Sequence, residues 1–80
     1  MNERLRDLLA EVLELERTAV TPGLRRDETD TWDSLNHLRL ITAIEAEFGA
    51  SFTMEEITAI RLAGELEQII DARAAVASQA

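Results

Sequence analysis

Apolar residues recur at helical spacing in four stretches of this chain. In residues 2–17 they follow the i, i+3, i+4, i+7 rule, and no glycine or proline interrupts them. This first face consists of Leu5, Leu8, Leu9 and Val12, widened by Leu13 and Leu15. Between Thr18 and Asp33 the pattern stops, and a Thr-Pro-Gly turn and a polar run replace it. The sequence therefore predicts a first helix followed by a long loop.

The second predicted helix begins sharply after this loop. Asp33 can cap the backbone N–H groups of the following turn, and Gly49 is a natural C-terminal stop. Between them Leu40 broadens an apolar face that consists of Leu38, Ile41, Ile44 and Phe48. We expect this face to be core.

Two more helices complete the prediction. Thr53 and Glu56 have the spacing of a capping box, which opens a short third helix holding Ile57 and Ile60. The fourth helix is predicted over about residues 62–73, with Leu62, Leu66, Ile69 and Ile70 buried. An Ala-rich tail, residues 74–80, is expected to fray. The chain is thus predicted to be all-α, a small four-helix bundle with a long first loop and a short third helix.

Composition narrows the class of protein. Eighty residues form one domain that buries only about 60% of its unfolded surface, which leaves no room for a deep catalytic cleft. The chain has 16 acidic and 8 basic residues, a formal net charge of −8, and every basic residue is arginine. This acid excess disfavours nucleic acid and anionic membrane surfaces as partners, and it favours a basic patch on a protein.

Several kinds of site are disfavoured by what the sequence lacks. It has no cysteine, so disulfides, thiolate catalysis and thiolate metal sites are excluded. The acidic loop residues do not alternate as in an EF-hand, so no metal is expected. No apolar run approaches the roughly 18 residues of a membrane span, and the N-terminus is charged where a signal peptide would be apolar. We expect a cytoplasmic protein.

The run Asp33-Ser34-Leu35 stands where the long loop meets the second helix. A serine in the first helical turn lies among unpaired N–H donors at the positive end of the helix dipole. That position suits a phosphate ester. The three residues alone are more typical of a serine that merely caps or starts a helix.

The run from Asp33 to Ile70 resembles the acyl carrier protein family. The likeness includes residues 43–49, 53–57 and 62–66, and the first helix and loop match in length and pattern. The resemblance implies that residues 1–80 are a single acyl carrier domain. A phosphopantetheinyl transferase would attach 4′-phosphopantetheine from coenzyme A to Ser34, and Asp33 would help to position the transferase's metal. The arm would carry acyl thioesters between acyl-loading and acyl-processing enzymes, so the chain itself would be a monomeric carrier and no enzyme.

The same resemblance places partner contacts on the second helix. The predicted partner residues are Leu35, Asn36, Arg39, Glu45 and Glu47. Carriers of fatty acid synthesis usually have acidic residues just after the modified serine, whereas this chain has Asn36, His37 and Arg39. This departure favours specialised, polyketide-type biosynthesis. His37 is expected to be solvated or near the prosthetic phosphate, and Trp32 to cover the junction of loop and core.

Six apolar residues align with positions that line the acyl cavity of such carriers. They are Leu38, Ile41, Ile44, Phe52, Ile57 and Ile60. Phe52 and Ile57 are bulkier than the residues usual at those positions. We therefore predict a shallow cavity and a short or polar cargo.

Two alternative functions stay open. A peptidyl or aminoacyl carrier would use the same serine, although such carriers more often have Gly-Gly before it. An unmodified acidic adaptor would bind a basic protein surface and use Ser34 only to start the helix. A hydrolytic triad of Asp33, Ser34 and His37 is disfavoured, because three residues in one exposed turn cannot form the required relay.

Overall fold

The computed structural model describes the backbone of residues 1–79 and the side chains of residues 1–73. Over this part of the chain the fold is all-α, as predicted. Its α-helices are α1 (Glu3–Leu13), α2 (Ser34–Phe48), α3 (Met54–Ala59) and α4 (Ala63–Gln79). Two 3₁₀ helices, Arg17–Ala19 and Arg26–Glu28, lie between α1 and α2. None of the described helices is both long and apolar enough to cross a membrane.

Helix α1 is shorter than predicted. Asn2 caps its N-terminus by accepting hydrogen bonds from two backbone N–H groups of the first turn. The predicted end near Arg17 is wrong, because Glu14 takes a left-handed conformation with φ 55° and ends the helix at Leu13. The N–H of Leu15 then bonds to the Ala10 carbonyl at 2.9 Å, as in a Schellman motif. A glutamate at this position gives no local signal for such a stop.

The core draws on α1, α2 and α4, on the long loop, and on Ile60, which follows α3. Its buried apolar residues are Leu5, Leu9, Leu13, Val20, Trp32, Leu40, Ile41, Ile44, Ile60, Ala63, Leu66 and Ile70. On α2 the buried side chains are His37, Leu40, Ile41 and Ile44. The prediction that Leu38 belongs to the core is wrong, since its side chain is 53% exposed. His37, which is 3% exposed, takes the place of Leu38 on the buried face of α2.

The long loop is fixed by backbone pairing with the connection between α3 and α4. Arg25 and Leu62 form an antiparallel bridge. Three backbone hydrogen bonds of 2.8–3.0 Å accompany it, from Arg26 to Arg61, from Ala63 to Leu24, and from Gly64 to Pro22. These bonds satisfy loop groups that would otherwise need water. The pairing fixes the path by which the loop approaches the start of α2.

Helix α3 begins with the predicted capping box. The Thr53 hydroxyl accepts from the Glu56 N–H at 3.1 Å, and Glu56 accepts from the Thr53 N–H at 2.9 Å. Glu56 also pairs with Arg73 at 2.6 Å and so joins α3 to α4. Helix α4 continues beyond the predicted end at Arg73. The tail predicted to fray, residues 74–80, is not among the residues whose side chains the structure describes.

Candidate functional site

Ser34 is the first residue of α2 and is exposed. Asp33 caps the helix as predicted, because its Oδ1 accepts a hydrogen bond from the Asn36 N–H at 2.8 Å. The aligned peptide dipoles of this 15-residue helix place partial positive charge at the end where Ser34 lies. An ester that brings negative charge to Ser34 would be stabilised there.

A small pocket of about 200 Å³ opens beside Ser34, where the loop, α2 and α3 meet. Its lining residues are Arg26, Ser34, His37, Leu38, Met54, Ile57 and Thr58. Sites for drug-sized ligands measure about 300–1,000 Å³, so this pocket is small. It combines apolar side chains with one guanidinium group, and can therefore take a short apolar group attached near an anion.

His37 forms the inner wall of this pocket. It is 3% exposed, and its ring lies between the loop and α3. Trp32 Nε1 donates to His37 Nδ1 at 2.9 Å, and His37 Nε2 lies 2.8 Å from the Ile57 carbonyl oxygen. An indole nitrogen only donates and a carbonyl only accepts, so the imidazole proton is on Nε2.

Burial lowers the pKa of His37, and the positive charges of Arg26 and Arg61 lower this pKa further. The hydrogen bond to Ile57 acts in the opposite direction, and the burial effect is larger. The expectation of a solvated histidine is therefore wrong. Both ring nitrogens are engaged, so His37 cannot accept the proton of Ser34 in this arrangement. Trp32 lies buried at the junction of loop and core, as predicted.

Two of the predicted partner residues lie on an open face of α2. Leu35 is 59% exposed, and Arg39 is exposed near it. A surface groove of about 420 Å³, called the α2 groove below, runs along this face. Its lining residues are Leu35, Leu38, Arg39, Thr42, Ala43 and Ala46. The groove is apolar except for Thr42 and the single charge of Arg39.

The other predicted partner residues make contacts within the chain. Asn36 is half-buried, and its Nδ2 donates to a loop carbonyl at 2.8 Å. Glu45 Oε2 accepts from the Phe52 N–H at 3.0 Å. Glu47 Oε1 accepts from Arg4 Nε at 2.8 Å, which joins α2 to α1. The structure therefore separates these side chains from the α2 groove, although all five predicted residues belong to one helix.

The six predicted cavity residues differ in burial. Those buried in the core are Ile41, Ile44 and Ile60. Phe52 and Ile57 are half-buried and pack against that core. Only Leu38 and Ile57 line the pocket beside Ser34.

Three residues of this pocket were not predicted from the sequence: Arg26, Met54 and Thr58. Arg26 lies in an irregular polar run, and only the pairing of the loop with residues 61–62 brings it to Ser34. Met54, which is 71% exposed, and Thr58 reach the pocket from α3. An exposed methionine directly after the capping threonine is the one local signal that could have indicated such a role.

The comparison with known families adds no assignment, since no protein-family model matches the sequence. Within the described residues, no group of three or more histidine, aspartate or glutamate side chains could hold a metal ion.

Proposed function

We propose that this chain is an acyl carrier protein of the cytoplasm, a small four-helix bundle with a long first loop. It would hold acyl groups as thioesters on a 4′-phosphopantetheine arm at Ser34 and present them to acyl-loading and acyl-processing enzymes. The observation that carries the proposal is an exposed serine at the positive end of α2, following a capping aspartate and beside a small apolar pocket. It acts as a monomer and catalyses no step itself.

The surroundings of Ser34 fit such a group. Its hydroxyl is accessible to a transferase, and the helix dipole and Arg26 favour the negative charge of a phosphodiester. In the attachment step the Ser34 oxygen loses its proton and bonds to phosphorus, and adenosine 3′,5′-bisphosphate leaves coenzyme A. The bound group supplies a thiol, which a chain without cysteine lacks.

The phosphopantetheinyl transferase must supply the base for this step. His37 is the single histidine of the sequence, and its two nitrogens are engaged by Trp32 and Ile57. Asp33 Oδ1 accepts from the Asn36 N–H, and within residues 1–73 no hydrogen bond joins the Asp33 carboxylate to the Ser34 hydroxyl. The carrier therefore presents a correctly placed but unactivated hydroxyl, which prevents reaction without the partner enzyme.

The pocket and the α2 groove support a specialised pathway with short or polar cargo. A pocket of about 200 Å³ offers an acyl chain little room, and Ile41, Ile44 and Ile60 are already packed in the core. The α2 groove carries Arg39 in place of the acidic residues typical of carriers of fatty acid synthesis. A peptidyl or aminoacyl carrier would use the same serine, and identification of the loaded group would distinguish it.

Intact mass spectrometry tests the proposal directly. The protein is incubated with coenzyme A and a broad-specificity phosphopantetheinyl transferase, beside Ser34→Ala and Ser51→Ala. Ser51 is also exposed, so its variant is a matched control. We expect a gain of one phosphopantetheine in the wild type and in Ser51→Ala, and none in Ser34→Ala. Folded wild type that gains no mass with several transferases would contradict the proposal and favour the unmodified adaptor.

A further inference from the structure

The α2 groove is an apolar surface on a strongly charged protein. Leu35 and Leu38 are both more than half exposed, and the small side chains of Ala43 and Ala46 leave a depression beside them. Contiguous exposed apolar surface of this kind marks interaction sites. Ser34 directly precedes Leu35, so whatever docks in the groove is close to the proposed attachment residue.

The charge of this groove is opposite to that of the whole protein. Arg39 is its only charged side chain, and within residues 1–73 this guanidinium forms no ion pair. Glu11 of α1 and Glu14, which follows α1, line a separate pocket with Arg39, and neither forms an ion pair with it. The acidic residues of α2 itself, Glu45 and Glu47, are bonded to other parts of the chain. An exposed guanidinium that pairs with no carboxylate of residues 1–73 and borders an apolar groove is suited to bind a carboxylate of a partner.

We propose that the α2 groove docks a partner surface whose apolar side chains flank an aspartate or glutamate that pairs with Arg39. This inference depends on the proposed function for its biological meaning, because it defines the enzymes to which Ser34 is presented. The partner differs from the basic patch that the net charge of −8 favours. Arg39 repels a basic patch at the point of closest contact, so the groove selects against such partners.

Two model peptides test this complementarity on the unmodified, full-length chain. Both form amphipathic helices with the same leucine and alanine face, and they differ only in a central glutamate or lysine. Binding is followed through the backbone amide NMR signals of Leu35, Thr42 and Ala46. We expect the glutamate peptide to bind about fivefold more tightly, which is the effect of one exposed ion pair.

Three variants of the protein separate local pairing from net charge. Arg39→Gln is expected to abolish the preference for the glutamate peptide, and Arg39→Glu to reverse it. Thr18→Glu changes the net charge by the same amount as Arg39→Gln, at an exposed position outside the groove. It is expected to keep the preference.

The inference is overturned by equal affinities for the two peptides, by tighter binding of the lysine peptide, or by unshifted groove amides at millimolar peptide. A preference that survives in Arg39→Gln also overturns it. The titration needs no prosthetic group, so its result is independent of loading at Ser34. A protein that loads at Ser34 but shows no preference would refute the inference and leave the proposed function intact.

Discussion

The buried imidazole of His37 is the contact whose removal should most affect the architecture around Ser34. It joins three elements, since it lies on α2, accepts from Trp32 in the loop and donates to Ile57 on α3. His37→Ala would leave the Trp32 indole N–H buried without a partner and the Ile57 carbonyl without its donor. We therefore expect this substitution to destabilise the fold.

The loss of stability in His37→Ala can be estimated from the polar groups left unpaired. A buried polar group without a partner costs about 1–3 kcal/mol. Trp32 is 2% exposed and would bear this cost in full, whereas half-buried Ile57 can recover a hydrogen bond from water. With the cavity left by the ring, we expect the free energy of unfolding to fall by about 3 kcal/mol. In a domain of this size the melting temperature would fall by about 15 °C.

Urea and thermal denaturation, followed by far-UV circular dichroism, measure this change. Fluorescence reports on the environment of Trp32 alone, because it is the single tryptophan. His37→Gln serves as the matched control, since an amide can both donate and accept, and it should retain more stability than His37→Ala. Trp32→Phe in the His37→Ala background removes the unpaired donor. The loss of stability in this double variant should therefore be smaller than the sum of the losses in the two single variants.

A loss of less than about 1 kcal/mol of unfolding free energy in His37→Ala would refute this reasoning. It would show that the Trp32 N–H and the Ile57 carbonyl find other hydrogen-bond partners in the variant. Additive losses in the double variant would equally refute the coupling between Trp32 and His37. Mass gain with coenzyme A and transferase should persist in folded His37→Ala. Loss of this gain in folded protein would mean that His37 takes part in the attachment step.

Three further outcomes are expected. Acid should destabilise the protein as the pH falls through about 6.5, the unfolded pKa of histidine. The pKa of buried His37 is lower in the fold, so the unfolded chain binds the proton first. Urea titrations at pH 7.5 and 5.5 would show this loss of stability, and His37→Gln should reduce the difference in stability between the two pH values. Gly64→Ala should lower the free energy of unfolding by about 1–2 kcal/mol, because its Cβ would lie 3.0 Å from a loop carbonyl oxygen. Gly23→Ala, whose Cβ would have no such neighbour closer than 4.0 Å, should change stability little. Equal melting temperatures of the two variants would contradict this expectation. Leu38→Ala should change stability by less than about 0.5 kcal/mol, while Leu40→Ala should lose about 2–5 kcal/mol in the same denaturation assay.

The sequence by itself determined the features that depend on a few neighbouring residues. The start of α2 was identified by Asp33, and the start of α3 by the capping box of Thr53 and Glu56. Such caps can be predicted locally because they satisfy backbone donors within their own turn. Gly49 identified the end of α2, since it takes φ +67°, a conformation that glycine adopts without strain. The position of Ser34 in the first turn of α2 followed from these local rules.

Only the tertiary structure decided which face of α2 is buried and what surrounds Ser34. His37 is buried in place of Leu38 because Trp32 and Ile57, five and twenty residues away, provide its hydrogen-bond partners. Arg26 reaches the pocket because its loop pairs with the start of α4. Hydropathy periodicity scores each side chain by its own polarity, whereas burial of a polar ring depends on partners that folding brings from distant parts of the chain.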